Sequence, residues 1–154
     1  MMMDSERNVM KFLIINGPNL NRLGKRNTGI YGTKTLAEIN EELRQRFSQL
    51  EFTFLQSNHE GALVDAIQQA EADYDGIVIN PGAYSHYSLA IRDAIEDCPI
   101  PVVEVHISNI ADRESFRQQS VISAVCQGKV TGFGDAGYAL GVQGLLAIME
   151  TKKV

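Results

Sequence analysis

The stretch KFLIINGPNLNRLGKRNTGIYG, residues 11–32, begins as a short apolar strand and continues as a long polar loop. Two later stretches repeat this plan: GIVIN at residues 76–80 precedes PGAYSHYS, and VVEVH at residues 102–106 precedes ISNIADRESFR. In a parallel α/β sheet the carboxyl ends of such strands lie at one edge, so we expect their loops to meet in one cleft. The side chains expected to converge there are Asn19, Arg26, Tyr31, Asn80, His86, Glu104, His106 and Arg117.

Strands and helices alternate along the rest of the chain. Thr35 and Glu38 form a capping-box pattern, which predicts that a helix starts at Thr35. The spacing of apolar residues predicts strands at residues 11–16, 51–57, 76–80, 102–106 and 129–133. Further helices are predicted from about Glu60, over Leu89–Asp97, around Arg113–Ser120 and after Gly137.

This order of elements predicts the fold class. Five strands alternating with helices indicate an α/β three-layer sandwich, in which right-handed crossovers place helices on both faces of a parallel sheet. For so short a chain we expect the flavodoxin-like strand order 2-1-3-4-5, which brings the first and third loops together at the switch point. We expect a polar N-terminal leader at residues 1–9 and a single flavodoxin-like domain at residues 10–154.

The composition argues against several classes of protein. The 154 residues are 44% hydrophobic and 21% charged, which is typical of one soluble globular domain. A net charge of −5 without a basic run argues against a nucleic-acid partner. No apolar stretch approaches the roughly 20 residues that span a membrane, so no membrane association is expected. Because the leader is polar and acidic rather than a secretory signal, Cys98 and Cys126 are interpreted as reduced thiols of a cytoplasmic protein.

The first polar loop carries residues suited to a binding site. Gly17, Pro18 and Asn19 can also be explained as turn residues that leave the strand. From Leu20 to Lys34, however, the loop is long, contains three glycines and holds several cations, Arg26 among them. That composition is typical of a lid over a site. Neither GxxxxGK[ST] nor GxGxxG follows the strand, so no nucleotide cofactor is expected.

Tyr31 lies near the end of this loop, five residues after Arg26. A free tyrosine has a pKa of about 10, so a tyrosine that serves as a general base at neutral pH needs about 4 kcal/mol of stabilisation of its ionised form. One guanidinium at about 4 Å supplies energy of that order at an effective dielectric constant of about 20. Arg26 is the candidate for this partner, and the alternative is that Tyr31 only packs its ring within the loop.

The fourth strand ends with Glu104 and His106, which alternate onto the same face. A carboxylate in that position can hold the tautomer of the imidazole and favour its protonated form, which would make His106 a proton donor. A histidine after a strand can also be a hydrogen-bonded structural residue, but an acidic residue inside a buried strand needs a partner. The histidines show neither HxxxH nor HExxH spacing, so no metal site is expected.

Arg113 and Arg117 lie four residues apart after the fourth strand, and on a short helix they would share a face. Such a pair is commonly solvated, yet Arg117 could also close a carboxylate site with Ser108 and the backbone amides of Ile107 and Ser108. The third loop adds hydrogen-bonding side chains that are not nucleophiles by themselves: Asn80 and His86. The predicted cleft is therefore suited to binding a small hydroxylated anion and to moving protons.

Four stretches of the sequence together carry a resemblance to a known family. They are NGPNLNRLGKR…IYG (residues 16–32), QSNHEG (residues 56–61), INPGAYSHYSLAIRDA (residues 79–94) and VEVHISNI..RE.FR (residues 103–117). In this order they closely resemble the type II 3-dehydroquinate dehydratases, and VTGFGDAGYALGV at residues 130–142 is similar to the last strand and helix of that family. The resemblance covers nearly the whole chain after the leader.

The resemblance implies a flavodoxin-like subunit of a homododecamer built from trimers. Its implied activity is the reversible loss of water from 3-dehydroquinate to give 3-dehydroshikimate, in the shikimate or quinate pathway, without a metal or organic cofactor. By the same resemblance Tyr31, activated by Arg26, removes the proton alpha to the ketone, and His106, oriented by Glu104, protonates the departing hydroxyl. Asn19 is implied to hold the water that stabilises the enolate. The positions implied to bind substrate are Asn80, His86, Ile107, Ser108, Arg117 and Asp93, the last of which reaches a neighbouring subunit's site.

The chain departs from the family pattern in the lid, where Asn27 and Thr28 follow Arg26 in place of Glu-Pro. The resemblance therefore does not predict how rigid the lid is or how fast it closes.

The sequence alone also leaves two other classes of function as alternatives. One is a non-enzymatic flavodoxin-like binding or signalling module, although Asn16 and Gly17 stand where a receiver domain carries an acidic cluster. The other is a different small-molecule lyase or isomerase on the same scaffold.

Overall fold

The structure is a computed structural model that describes residues 9–152. The predicted leader at residues 1–9 lies outside the described residues except for Val9. The strands are β1 Lys11–Asn16, β2 Glu51–Gln56, β3 Gly76–Asn80, β4 Val102–His106 and β5 Gly128–Thr131. The α-helices are α1 Thr28–Tyr31, α2 Leu36–Arg46, α3 Glu60–Gln69, α4 Leu89–Asp97 and α5 Ala136–Lys152.

The strands pair in parallel in the order β2-β1-β3-β4-β5, so the predicted flavodoxin-like order is confirmed. Successive residues of a strand point to opposite faces. Phe12 and Ile14 of β1 therefore join the core beneath α2 and α5, whereas Leu13 and Ile15 join the core beneath α3 and α4. Because helices cover both faces, β1, β3 and β4 are buried almost throughout. Polar side chains gather instead at the carboxyl edge of the sheet.

Most element ends lie where the sequence predicts them. Helix α2 begins after the predicted capping box: Thr35 Oγ1 accepts from the Glu38 amide, and the Glu38 carboxylate accepts from the Thr35 amide. Strand β5 was predicted to reach residue 133 but ends at Thr131. Gly132 and Gly134 turn the chain there with φ values of 92° and 64°, which glycine adopts without a Cβ clash.

The helix predicted around residues 113–120 does not form, so that prediction was wrong. The chain makes two single 3₁₀ turns, Ile110–Asp112 and Ser115–Arg117, with Arg113 in an extended conformation between them (φ −103°, ψ −176°). Residues 113–120 have too little apolar surface to pack a helix, because the one apolar side chain among them, Phe116, is 64% exposed. Arg113 and Arg117 are therefore not neighbours on a helix face.

The loops after β1 and β3 are packed against each other at the level of the backbone. The Gly17 amide donates to the Asn80 carbonyl oxygen at 2.8 Å. A Cβ atom on Gly17 would lie only 2.4 Å from the Pro81 carbonyl oxygen, so a side chain cannot be placed there. The Gly-Pro-Asn turn thus fixes the first loop against the third, which are neighbours at the switch point.

A buried hydroxyl connects α5 to the ends of both strands. Tyr138 Oη donates to Asn16 Oδ1 at 2.5 Å and accepts from Asn80 Nδ2 at 3.0 Å, while Asn80 Oδ1 accepts from the Gly82 amide at 3.2 Å. Tyr138, Asn16 and Asn80 are almost completely buried, and burial raises the pKa of Tyr138. The network holds the asparagines at the ends of β1 and β3 in one orientation.

Replacing Tyr138 with phenylalanine is expected to lower the free energy of unfolding by about 1–3 kcal/mol at pH 7, because Asn16 and Asn80 each lose a buried partner. Chemical denaturation followed by circular dichroism measures this loss. Thr151→Val is the control for loss of a hydroxyl. Thr151 is exposed and its Oγ1 donates to the Ala147 carbonyl oxygen of the same helix, so its hydroxyl can be removed with little change in stability.

The Tyr138→Phe variant should also show a distinct response to high pH. The native pKa of Tyr138 is raised above its unfolded value of 10.0. The stability contributed by the protonated hydroxyl is therefore fully present below about pH 10 and is lost as the pH rises further. The phenylalanine variant cannot lose it, so the stability gap between the two proteins should narrow above pH 10. A gap that stays constant from pH 7 to pH 11 would contradict this role of the hydroxyl.

Candidate active site

A cavity opens at the carboxyl ends of β1, β3 and β4, where the fold places the three polar loops. Its walls come from the loop after β1 with the lid that ends at Tyr31, from the turn after β3 and from the loop after β4. The lining residues are Pro18, Asn19, Leu20, Leu23, Arg26, Tyr31, Gly82, Ala83, His86, His106, Ile107, Ser108, Ile110, Arg113 and Arg117.

The cavity gathers most of the site residues predicted from the sequence. Asn80 and Glu104 do not line it but contact its lining from behind, through Gly82 and His106 respectively. Asp93 lies apart from the cavity on the exposed surface of α4. The predicted residues that do line it are Asn19, Arg26, Tyr31, His86, His106, Ile107, Ser108 and Arg117.

Glu104 and His106 form a buried pair of carboxylate and imidazole, on one face of β4 as predicted. One Glu104 oxygen accepts a hydrogen bond from His106 Nε2, and the other accepts from Ser123 Oγ at 2.5 Å. Burial opposes the ionisation of Glu104, yet these hydrogen bonds outweigh it and hold the pKa of the carboxyl below its usual value. With Nε2 bound to Glu104, Nδ1 is the ring nitrogen of His106 left to act on a molecule in the cavity.

The hydroxyl of Tyr31 is bound by an arginine from the opposite wall. Arg113 Nη1 donates to Tyr31 Oη at 3.1 Å, and this hydrogen bond raises the pKa of Arg113. Arg26, the partner expected from the sequence, lies over the ring instead, with its Cζ atom 5.1 Å from the ring centroid. Both cations contact Tyr31, but the direct hydrogen bond to its hydroxyl comes from Arg113.

Arg113 is a cavity residue, in contact with Tyr31, that the sequence did not single out as a candidate for the site. Its only signal was the four-residue spacing to Arg117, which is equally typical of a solvated pair. Its side chain spans the cavity wall, since Nη1 also donates to Ser108 Oγ at 3.2 Å. The extended backbone at Arg113 is compatible with this reach, whereas the predicted helix would have directed the two arginines to one face.

The remaining polar groups of the cavity have defined orientations. His86 Nδ1 donates to the Gln119 carbonyl oxygen at 2.8 Å, which leaves Nε2 for a ligand. Arg117 Nε donates to the exposed carboxylate of Glu114 at 3.2 Å. Asn19 has a left-handed backbone (φ 69°), and its amide donates to Asn58 Oδ1 at 3.0 Å. The side chains of His86 and Arg117 and the backbone of Asn19 are therefore placed by contacts outside the cavity.

This arrangement combines proton transfer with anion binding. Tyr31 beside two guanidinium groups is suited to taking a proton, and His106 beside a carboxylate is suited to giving one. The arginines that line the cavity favour an anionic ligand. Among residues 9–152, no group of three His, Cys, Asp or Glu side chains is placed to hold a metal ion.

Comparison with known proteins gives consistent matches over nearly the whole chain. The family model described as dehydroquinase class II matches residues 10–146. A 3-dehydroquinate dehydratase of Bacillus cereus (strain G9842) is 54% identical over 142 residues, which are 91% of this chain and 95% of the relative. One from Bacillus pumilus (strain SAFR-032) is 53% identical over 138 residues, 88% of this chain and 94% of the relative. The crystal structure of type II dehydroquinase from Butyrivibrio crossotus DSM 2876 superposes with a TM-score of 0.88 at 47% identity, covering 90% of this chain and 99% of that one.

A flavodoxin-like α/β domain whose cavity holds a tyrosine, a carboxylate-bound histidine and several arginines is typical of an acid–base enzyme for a small anion. The chain belongs to the class II dehydroquinase family. The alternative of a non-enzymatic signalling module is thereby excluded.

Arg113→Met is expected to lower kcat roughly 10- to 100-fold, because the Tyr31 hydroxyl loses a charge-assisted hydrogen bond while the volume of the side chain is kept. Steady-state turnover measures the effect. Arg44→Met is the control, since Arg44 lies on α2 with a side chain that is 55% exposed, and it should leave turnover unchanged. Near-normal turnover in Arg113→Met would show that Arg26 alone activates the tyrosine.

Proposed function

We propose that this chain is a 3-dehydroquinate dehydratase, a hydro-lyase that converts 3-dehydroquinate reversibly into 3-dehydroshikimate by trans-elimination of water. The observation that carries the proposal is that Tyr31, with its hydroxyl bound by Arg113, and His106, bound by Glu104, line the same cavity. Family membership and the names of the relatives support the same activity in the shikimate or quinate pathway. The product is a conjugated enone, so ultraviolet absorbance after addition of 3-dehydroquinate tests the activity directly.

The first step is removal of the proton alpha to the ketone by Tyr31 as its phenolate. The C–H bond breaks, its electron pair forms an enolate, and Tyr31 holds the proton. The hydrogen bond from Arg113 and the position of Arg26 over the ring favour the phenolate. A unit charge at about 4 Å contributes about 4 kcal/mol at an effective dielectric constant of about 20. This matches the cost of ionising a free tyrosine at neutral pH, about 4 kcal/mol.

The second step is loss of the hydroxyl group as water. The enolate reforms the ketone, the C–O bond breaks, and His106 gives the departing oxygen a proton from Nδ1. Glu104 accepts from Nε2 throughout and so holds the ring with Nδ1 available to the cavity. Asn19 holds the water that stabilises the enolate oxygen. The residues that line the cavity in the described part of the chain include no lysine, so the route proceeds without an imine.

The substrate is bound by groups on the loops after β3 and β4. Arg117, Ser108 and the backbone amide of Ile107 bind the carboxylate, and His86 Nε2 binds a hydroxyl. Asn80 lies behind the lining of the cavity and is 4% exposed; one Nδ2 hydrogen is donated to Tyr138, and the second is the group that we assign to a substrate hydroxyl that reaches past Gly82. These contacts orient the substrate so that its leaving hydroxyl group faces His106.

The proposed reaction uses side chains alone, without a metal or organic cofactor. No helix between residues 9 and 152 is long and apolar enough to cross a membrane. A cytoplasmic location and the absence of a nucleic-acid partner stay predictions. The free thiols of Cys98 and Cys126 support the cytoplasmic location.

The two proton transfers can be separated by isotope exchange. In heavy water, His106→Ala should exchange the alpha proton of 3-dehydroquinate faster than it eliminates water, because Tyr31 still removes that proton. Tyr31→Phe should lose exchange and elimination together. Proton NMR follows exchange, and enone absorbance follows elimination.

Substrate affinity is the control in this experiment and is measured by calorimetry for both variants. A His106→Ala protein that binds substrate but loses exchange would place His106 on the first step and leave Tyr31 without its proposed task. Near-normal turnover of Tyr31→Phe would have the same consequence.

We infer that the active form is a homododecamer built from trimers, in which Asp93 serves the site of a neighbouring subunit. Asp93 is exposed on α4 and does not line the cavity of its own chain. Large apolar side chains are exposed beside it: Tyr87 is 62% and Leu89 is 63% exposed. Exposed apolar side chains of this size are typical of a subunit interface. Asp93 lies beside them and does not line the cavity of its own chain.

A mixed assembly tests whether Asp93 acts across the interface. Asp93→Asn and Tyr31→Phe chains should each be poorly active alone, but co-assembled chains should regain activity. In a mixture of equal amounts, about a quarter of the sites combine an intact Tyr31 with an intact neighbouring Asp93. Activity no higher than the mean of the two separate variants, or a fully active monomer in sedimentation, would remove Asp93 from the site.

A further inference from the structure

The buried carboxylate of Glu104 has a second partner that the proposed mechanism does not use. Ser123 Oγ donates to Glu104 Oε1 at 2.5 Å, while Glu104 Oε2 accepts from His106 Nε2. Ser123 begins the short 3₁₀ turn Ser123–Val125 in the connection from β4 to β5. Neither Ser123 nor Glu104 lines the cavity, so this contact lies behind the imidazole.

The position of Ser123 is fixed by its neighbours rather than by Glu104. Ile122 is 0% exposed and packs in the core beneath α3 and α4. The Val121 amide donates to the Ser85 carbonyl oxygen at 2.7 Å, and Arg92 Nη1 donates to the Val121 carbonyl oxygen at 2.7 Å. The turn therefore presents the Ser123 hydroxyl to Glu104 as a preorganised donor.

A carboxylate removed from water stays ionised only when its oxygens accept hydrogen bonds. Glu104 is 0% exposed, and its burial by itself favours the neutral acid. The hydrogen bonds from His106 and Ser123, with a contribution from Ser120, reverse this and lower the pKa of the carboxyl. Without the Ser123 hydroxyl, the proton shared between Glu104 and His106 shifts toward the carboxylate.

We propose that Ser123 is a positioning residue for the elimination step. Its hydroxyl keeps Glu104 ionised and turned toward His106, so that the imidazole retains the proton that it gives to the departing hydroxyl. The inference rests on the proposed role of His106 as the proton donor. Ser123 acts only through Glu104 and does not touch the substrate.

Other titratable groups surround the pair on two sides. Lys129 is the register partner of Glu104 on β5, and Cys126 is close enough that burial and the Glu104 charge raise its pKa to about 12. The groups that line the cavity together with His106 are Arg26, Tyr31, His86, Arg113 and Arg117. A Ser123 substitution leaves all of these groups in place, so a changed titration of His106 can be assigned to the lost hydroxyl.

Ser123→Ala should lower kcat about tenfold while KM changes less than about twofold. The alkaline limb of the kcat profile should move to lower pH, because the donor that Glu104 supports then loses its proton earlier. NMR of ¹³C-labelled histidine measures the same shift directly, without turnover. The chain has three histidines, so single replacements of His59 and His86 assign the signal of His106.

Two further variants keep the test independent of folding. Ser123→Cys preserves the volume but is a weaker donor, and it should move the titration in the same direction. Ser123→Thr keeps a hydroxyl and should restore the parent profile. Ser88→Ala is the matched control, because Ser88 Oγ donates to Glu60 at the same distance of 2.5 Å. Ser88 also caps α4, so this variant should lose stability without moving the pH profile.

The supporting result is a moved His106 titration, slower elimination and undiminished exchange of the substrate alpha proton. An unmoved titration in Ser123→Ala and Ser123→Cys overturns the inference even where turnover falls, because that loss would be only structural. A moved titration with unchanged kcat also overturns it. That result would mean that the proposed role of His106 as the proton donor is wrong. The His106→Ala variant would then eliminate water at the normal rate.

Discussion

A carboxylate buried inside a parallel sheet is the constraint on which the rest of the site depends. Glu104 lies in β4 with helices over both faces of the sheet, and it is 0% exposed. An ion in such a position is costly by several kcal/mol unless it is paired and hydrogen-bonded. One oxygen accepts a hydrogen bond from His106, which lies two residues further along β4 on the same face. The other oxygen accepts from Ser123 in the 3₁₀ turn Ser123–Val125. The imidazole that faces the cavity is therefore held by the core of the fold rather than by a loop.

The connection between β4 and β5 serves both halves of the proposed chemistry. From it, Arg113 binds the hydroxyl of Tyr31, which the lid brings to the cavity from the other side. From it also, Ser123 binds the carboxylate that orients His106. The base and the acid come from different parts of the chain, but their supporting contacts come from one segment. Substitutions of Arg113 and of Ser123 are thus expected to affect different proton transfers, although both residues lie within residues 107–127.

Much of the fold could be predicted because it is decided locally, by apolar runs for the strands and by the Thr35 capping box for α2. The cavity residues followed because parallel strands end at one edge. The hydrogen-bonding partner of Tyr31 did not follow, since Arg113 lies 82 residues away in a segment that was wrongly predicted to be a helix. Charge and proximity in sequence made Arg26 the candidate instead. Ser123 carried no signal either, because serine is common in turns and its contact with Glu104 depends on tertiary packing.

Arg113 and Arg117 both form ion pairs with the exposed carboxylate of Glu114, and these pairs leave Arg117 able to bind an anionic ligand. Glu114 lies 3.2 Å from Arg117 Nε and 3.5 Å from Arg113 Nε, and its side chain is 53% exposed. Exposed ion pairs of this kind contribute little to stability, because solvent and salt screen them. A substrate carboxylate can therefore replace Glu114 on Arg117 with little loss. In the proposed mechanism Arg117 binds the substrate carboxylate, while Arg113 keeps its hydrogen bond to Tyr31 through Nη1. The proposal thereby assigns activation of the base and binding of the anion to different arginines, although the two lie only four residues apart.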